Sequence, residues 1–171
     1  GRLVYPLKDI KGQVMGFCGW DKFAEPKYLD SKNFGYKAKA TTLYGMEKLP
    51  EYYDSKEPVF VVEGIVCCLW LRSQGFQALA LLGSNFTPYV EEILKRFGTR
   101  LVLIPDNDEA GNSLVHKAKW RLKKCVIVQP AYGKDIDGCR KVDEGIYAEE
   151  LKRELSSLNN PFVKTKLLIR R

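Results

Sequence analysis

Three acids crowd into the hexapeptide Asp-Asn-Asp-Glu-Ala-Gly at positions 106–111, directly after the apolar run LVLIP at 101–105. Carboxylates this close together repel, and they stay ionised only where a counter-charge is at hand. Two other groups of acids stand in the same context. Glu63 follows the apolar run at 59–62 and precedes Gly64, and Asp135 and Asp137, in the segment GKDID that opens with Gly133 and Lys134, follow the stretch CVIVQP at 125–130. Along an extended chain, residues two apart face the same way. Asp106 and Asp108 can therefore enter one crevice while Asn107 turns away, and Asp135 and Asp137 can do the same. Five converging carboxylates call for a divalent cation. Magnesium takes oxygen ligands, keeps several waters, and typically uses one or two carboxylates together with substrate phosphates. That arrangement suits phosphoryl chemistry.

Each piece also has a plainer reading. Glu63 could be a strand-end acid beside a turn, and GKDID a solvated loop. Asp108 or Glu109 could sit at a helix N-terminus, where the dipole favours acids. DNDEAG partly matches a calcium loop, but Ala110 stands at the third ligand position and Lys117 where the closing glutamate would fall, which argues against an EF-hand. Three groups of acids at three strand ends are harder to dismiss than any one of them.

The elements that must deliver these acids can be read from the apolar rhythm. Residues 3–7 and 13–20 read as a hairpin about a turn at 9–12. The segment PKYLDS at 26–31 reads as a loop, and residues 37–50 as a connector into a helix stopped by Pro50. From residue 59 onward, strands at 59–64, 78–83, 100–106 and 125–130 alternate with helices at 65–75, 87–98 and 109–124. Thr87 and Pro88 open the second of these helices and Gly98 lies past its end. A loop at 131–138 and a helix near 143–156 follow. Strands separated by helix-length segments imply βαβ units and a mainly parallel, four-stranded sheet flanked by helices, in the α/β class. In such sheets ligands bind outside the carboxyl ends of the strands, which is where the acids lie.

Composition narrows the partners. The chain has 171 residues and 45% hydrophobic content, enough for one large domain or one domain with a small attachment. Its longest apolar runs are too short to cross a bilayer, so no membrane partner is expected, and no secretory pattern opens the chain. The start, GRLVYPL, reads as the interior of something longer, so a trimmed fragment is expected. Five cysteines without a CxxC spacing and a single histidine, His116, leave no zinc set and point to a reduced, cytoplasmic protein. One histidine, read as a solvated helix residue, also argues against histidine acid–base chemistry. A formal net charge of +7 suggests an anionic partner, usually nucleic acid. The basic end KTKLLIRR could be a solvated tail or a helix leading to a further domain.

The ordered motifs resemble a Toprim domain: Glu63–Gly64 after one strand, then Asp106-Asn107-Asp108 after a later one. Upstream, RLVYPLKDIKGQVMGFCGW, EPKYLDS and YKAKATTLYGMEKL are similar to the basic subdomain that precedes Toprim in DnaG-type primases. ALALLGSNFTPY and GKDID also fall where that family has corresponding segments, so the resemblance covers roughly residues 2–140. It implies the RNA polymerase core of a DnaG-type primase of phage or mobile-element origin, with a basic subdomain at 1–57, a Toprim domain at 58–140 and a helical segment at 141–171. It further implies synthesis of short RNA primers on single-stranded DNA from ribonucleoside triphosphates. Glu63 would act as the catalytic acid or a metal ligand. Asp106 and Asp108 would bind magnesium, with manganese as a substitute, and Asp135 with Asp137 would complete the set. Lys27, Lys39, Lys134 and Asn107 would approach nucleotide or template, and Tyr28, Tyr44 and Trp20 are candidate stacking surfaces. A replicative helicase would be engaged through regions beyond this chain. A Toprim nuclease, with water as nucleophile, and a non-catalytic nucleotide- or nucleic-acid-binding module are the rival readings.

Two positions depart from the family pattern. Cys67 stands where an aspartate often follows the glutamate by four residues, and Trp20 stands where an arginine commonly closes the second strand. A thiol is a poor replacement for an oxygen ligand of a hard cation. The zinc-binding template domain of the family has no counterpart in this sequence, so the fragment is expected to hold the catalytic centre yet prime poorly alone.

Overall fold

The structure is a computed structural model, and it describes residues 1–32, 40–83, 86–122, 124–130 and 153. Its centre is a four-stranded parallel sheet of β4 (Val59–Val62), β5 (Gln77–Ala80), β6 (Leu101–Ile104) and β7 (Val126–Ile127), in the spatial order β5-β4-β6-β7. The register sets Val59 beside both Gln77 and Leu101, and Val62 beside both Ala80 and Ile104. All four residues of β4 and of β6 are buried, which is why these strands read as unbroken apolar runs rather than alternating ones.

Alternation along each strand splits the core in two. Val59, Val61, Leu79, Leu81, Leu101 and Leu103 face one side, where they meet α1 (Leu49–Asp54), α3 (Pro88–Lys95) and α4 (Glu109–Arg121). Phe60, Val62, Ala78, Ala80, Val102 and Ile104 face the other and meet α2 (Ile65–Ser73) through Cys67, Cys68, Trp70 and Leu71. Right-handed crossovers require this arrangement: the step from β4 to β5 runs one way across the sheet, and the steps to β6 and β7 run the other.

Local chemistry sets the helix ends. The Thr87 hydroxyl accepts from Val90 N–H at 3.3 Å and donates to the Ala40 carbonyl at 2.6 Å, capping α3 and tying it to the preceding segment. Arg100 donates to the carbonyls of Tyr52, Tyr53 and Glu57 and so holds the exit of α1. Gly45, at φ 93°, leaves room for the Arg72 guanidinium, which lies 5.5 Å from the Tyr44 ring and 6.0 Å from the Tyr52 ring.

A second, antiparallel sheet is formed by β1 (Leu3–Lys8), β2 (Val14–Trp20) and β3 (Tyr28–Asp30). Its inner face joins the rest of the chain through Leu7 and Cys18, which pack with Ile65 and Leu82.

Four expectations change. PKYLDS is not all loop: Tyr28, Leu29 and Asp30 pair with Trp20, Gly19 and Cys18. Three residues are too few to show a period, and their partners lie far away in sequence. Pro50 begins a helix rather than stopping one, because the first turn has no intrahelical use for its missing N–H. The helix after DND ends at Arg121, short of Lys124. The strand expected at 125–130 pairs only over Val126–Ile127, with one further bond from Val128 N–H to the Leu103 carbonyl. The expected loop at 131–138 and the helix near 143–156 fall on residues outside those described, apart from Arg153.

Candidate active site

Strands β4 and β6 lie side by side, and the chain leaves them in opposite directions across the sheet, so their carboxyl ends flank the topological switch point. Glu63 is the residue after β4 and Asp106 comes two residues after β6. The Glu63 carboxylate accepts from Asp106 N–H at 3.0 Å, so the two acids meet at that edge. Glu63 is only 8% exposed and is the one buried charged side chain among the described residues. Burying a carboxylate costs several kcal/mol unless hydrogen bonds or opposite charge compensate it. The Asp106 N–H offsets part of this, and so does the N-terminus of α2, which starts right after the Gly64 cap.

Asp108 has two possible duties, and the structure shows one of them directly. It caps α4, its carboxylate accepting from Gly111 N–H at 2.9 Å. Asp106 and Asp108 are half-buried, whereas Asn107 and Glu109 are exposed. Asn107 does not simply turn away, since its amide donates to the Pro130 carbonyl at 2.9 Å and links this turn to the chain beyond β7. Gly111 is indispensable to the geometry. A Cβ there would run into the backbone carbonyl oxygen of Asp106 and lie 2.8 Å from its carbon. The first turn of α4 is therefore wrapped tightly over the residue that carries the acid. In the sequence, the signal for this close approach is a glycine three residues after a capping aspartate.

Tyr28 was expected only as a stacking surface, and its hydroxyl has another partner. A Cβ on Gly64 would stand 3.1 Å from the Tyr28 oxygen, and Val66 N–H donates to that oxygen. The small sheet thus reaches the start of α2, one residue from Glu63. Burial pushes the Tyr28 hydroxyl well above the usual tyrosine range, against the opposing pull of Val66 N–H. Glycine after the acid is what allows this approach.

The other expected residues are placed as follows. Lys27 is exposed, and its backbone carbonyl accepts from Arg2 at 2.8 Å. Trp20 is half-buried at the end of β2, beside Leu3 and Tyr28. Tyr44 is engaged in packing rather than open to a base: it pairs with Ala80 on the sheet edge, and its ring meets Tyr5 edge-on at 6.4 Å. Cys67 is 6% exposed within the α2 cluster. Lys39, Lys134, Asp135 and Asp137 lie outside the described residues. Among those described, no group of three or more His, Cys, Asp or Glu side chains is gathered closely enough to hold an ion. Glu63, Asp106 and Asp108 carry hard carboxylate oxygens, the donor type that suits a hard divalent cation. No helix among the described residues is long and apolar enough to cross a membrane.

Comparison with known proteins places this geometry. A family model described as Toprim-like matches residues 60–139. The DNA primase of Aquifex aeolicus is 32% identical over 94% of this chain, which spans 33% of that protein. A solved DnaG primase catalytic domain bound to ssDNA superposes with a TM-score of 0.69 at 27% identity, covering 92% of this chain and 55% of that one. The zinc-binding and RNA polymerase domains of the Aquifex aeolicus primase give a TM-score of 0.69 at 27% identity, over 91% of this chain and 40% of theirs. The chain is thus similar to part of each, with an antiparallel sheet set before a parallel one. From the Glu63–Asp106 edge, the sheet order and these matches together, the chain is a Toprim-containing domain of the DnaG primase type.

Proposed function

We propose that this chain supplies the catalytic centre for synthesis of short RNA primers on single-stranded DNA, by nucleotidyl transfer from ribonucleoside triphosphates. The observation that carries the reading is the meeting of Glu63 with the Asp106–Asp108 turn at the switch point, in a chain 32% identical to a primase over 94% of its length. In the reaction the 3′-hydroxyl oxygen forms a bond to the α-phosphorus of the incoming nucleotide, the bond to the bridging oxygen breaks, and pyrophosphate leaves in line. In this reading Glu63, held by Asp106 N–H, orients the hydroxyl and takes its proton. The N-termini of α2 and α4 both open at this edge, and their N–H groups favour the negative charge of the phosphates.

Magnesium, with manganese as a substitute, is the cation we assign to Asp106 and Asp108, and when bound it neutralises charge on the triphosphate. Asp135 and Asp137 complete the set on the family resemblance, and Lys27, Lys39 and Lys134 are the basic groups assigned to nucleotide or template. A lysine suits that task as a mobile point charge. The replicative helicase is assigned to regions beyond this chain.

Incubating the chain with a single-stranded template, labelled ribonucleotides and magnesium tests the reading. Template-dependent RNA products are expected. Magnesium-dependent degradation of the template without RNA synthesis would show a nuclease instead.

A further inference from the structure

Trp120 is 84% exposed, on a helix whose neighbouring surface is basic. Gly111, Leu114 and Ala118 form the buried side of α4. On the opposite side, residues three and four apart place His116 and Lys117 beside Trp120, with Lys119 at its flank and Lys124 just past the helix end, all exposed. Among the described residues no ion pair engages Lys117, Lys119 or Lys124. On the neighbouring helix α3, Glu91 pairs with Lys95 at 2.7 Å and Arg121 at 3.4 Å, and Glu92 pairs with Lys95 at 3.1 Å.

Cations in the last turns of a helix complement its dipole, so the lysines alone would need no ligand. The dipole does not explain the tryptophan, a middling helix former left with its large apolar ring in water. A membrane surface would ask for several apolar anchors on this face, and its neighbours are Ser113, His116 and Lys117. A flat indole within a field of exposed lysines matches a strand that has both exposed base faces and phosphates.

We infer that the outer face of α4, centred on Trp120 with Lys117, Lys119 and Lys124, is a second contact for single-stranded DNA, separate from the catalytic edge. The helix runs away from its Asp108 cap, so Trp120 lies about 18 Å along the axis from that residue, at ~1.5 Å per residue. One base stacks on the indole while the lysines meet flanking phosphates. The inference takes its ligand class from the proposed function, but it requires no catalysis.

The test is equilibrium binding of a fluorescent oligothymidylate to the full chain across a salt series, without magnesium or nucleotides. Trp120→Ala is expected to weaken binding about 5- to 150-fold, the range for losing one stacked base, and Trp120→Phe to restore most of it. Replacing Lys117, Lys119 and Lys124 together by alanine is expected to flatten the salt dependence by about 2 in log–log slope, at ~0.7 per phosphate contact on a single strand. Unchanged affinity in Trp120→Ala, or equally Trp120-dependent binding of a duplex of the same length, would overturn the inference. So would sedimentation showing that Trp120 instead joins two copies of the chain. A wild-type chain that binds DNA through Trp120 yet makes no RNA would remove the proposed function and leave this contact standing. A chain that makes RNA, with Trp120→Ala binding as wild type, would do the reverse.

Discussion

Replacing Gly111 by alanine separates site geometry from global stability. The added methyl carbon would meet three backbone atoms of Asp106, its carbonyl oxygen closest, its carbon at 2.8 Å and its nitrogen at 3.0 Å. No flexible side chain can swing away, so the first turn of α4 and the 106–108 turn must part by roughly 1.5 Å to restore ordinary contact. Overpacking of this kind costs about 1–3 kcal/mol. Alanine returns about 1 kcal/mol in helix propensity, so the net loss should be only ~0–2 kcal/mol. Activity should fall much further, because misplacing reacting groups by about 1 Å costs on the order of 100-fold. Gly75→Ala is the matched control. Gly75 sits at φ 87° with nothing within 4 Å, so alanine there pays about 1–2 kcal/mol of backbone strain without touching the site. Urea unfolding and ribonucleotide incorporation are measured on both variants. Comparable destabilisation with activity lost only in Gly111→Ala is the expected pair of results. Wild-type incorporation by Gly111→Ala would refute the reasoning.

Three further outcomes are expected. Asp108→Asn keeps a good helix cap and should stay within ~0.5 kcal/mol of wild-type stability, while Asp108→Ala should lose about 1 kcal/mol; both should lose roughly 100-fold or more in incorporation, the scale of removing one electrostatic group from a reaction centre. Tyr28→Phe removes the hydroxyl that accepts from Val66 N–H, and because water can partly replace it the loss in urea unfolding should be about 0.5–1 kcal/mol. At high pH, burial pushes the Cys68 thiol up to about 12 from an ordinary value near 9, so the folded state keeps a proton that the unfolded chain gives up. Stability should therefore hold up to about pH 9 and then fall by up to ~1.4 kcal/mol per pH unit toward pH 12, with the buried hydroxyls of Tyr44 and Tyr52 adding to the fall above pH 10. Urea unfolding between pH 8 and 11 checks this, and Cys68→Ala should flatten the slope.

The parallel sheet was legible because its strands are buried on both faces: VFVV and LVLI can hardly be anything but core, and Thr87–Pro88 is a strong helix start. Glu63 and Asp106 were legible as strand-end acids for the same reason, since they close apolar runs. What escaped the sequence depends on contacts distant along the chain. The strand Tyr28–Asp30 exists through its ladder to β2, and the place of the Tyr28 hydroxyl beside Gly64 spans two sheets. The amide of Asn107 reaches Pro130, 23 residues on. Pro50 escapes the sequence because a proline ends a helix or begins one according to which residues around it are buried, and Leu49 and Tyr52 are. Capping and a role at the edge need not be alternatives for Asp108, because the cap engages one carboxylate oxygen, Oδ1, through Gly111 N–H.

The central claim is that the buried carboxylate of Glu63 acts on the reacting nucleotide rather than merely closing a strand end. Glu63→Gln keeps an oxygen able to accept from Asp106 N–H, so the edge should hold together while the charge is lost. Magnesium-dependent incorporation of ribonucleotides on a single-stranded template, measured beside the unfolding midpoint, decides the matter. The account predicts a folded variant with primer synthesis abolished. A folded Glu63→Gln chain that makes primers at the wild-type rate would contradict it.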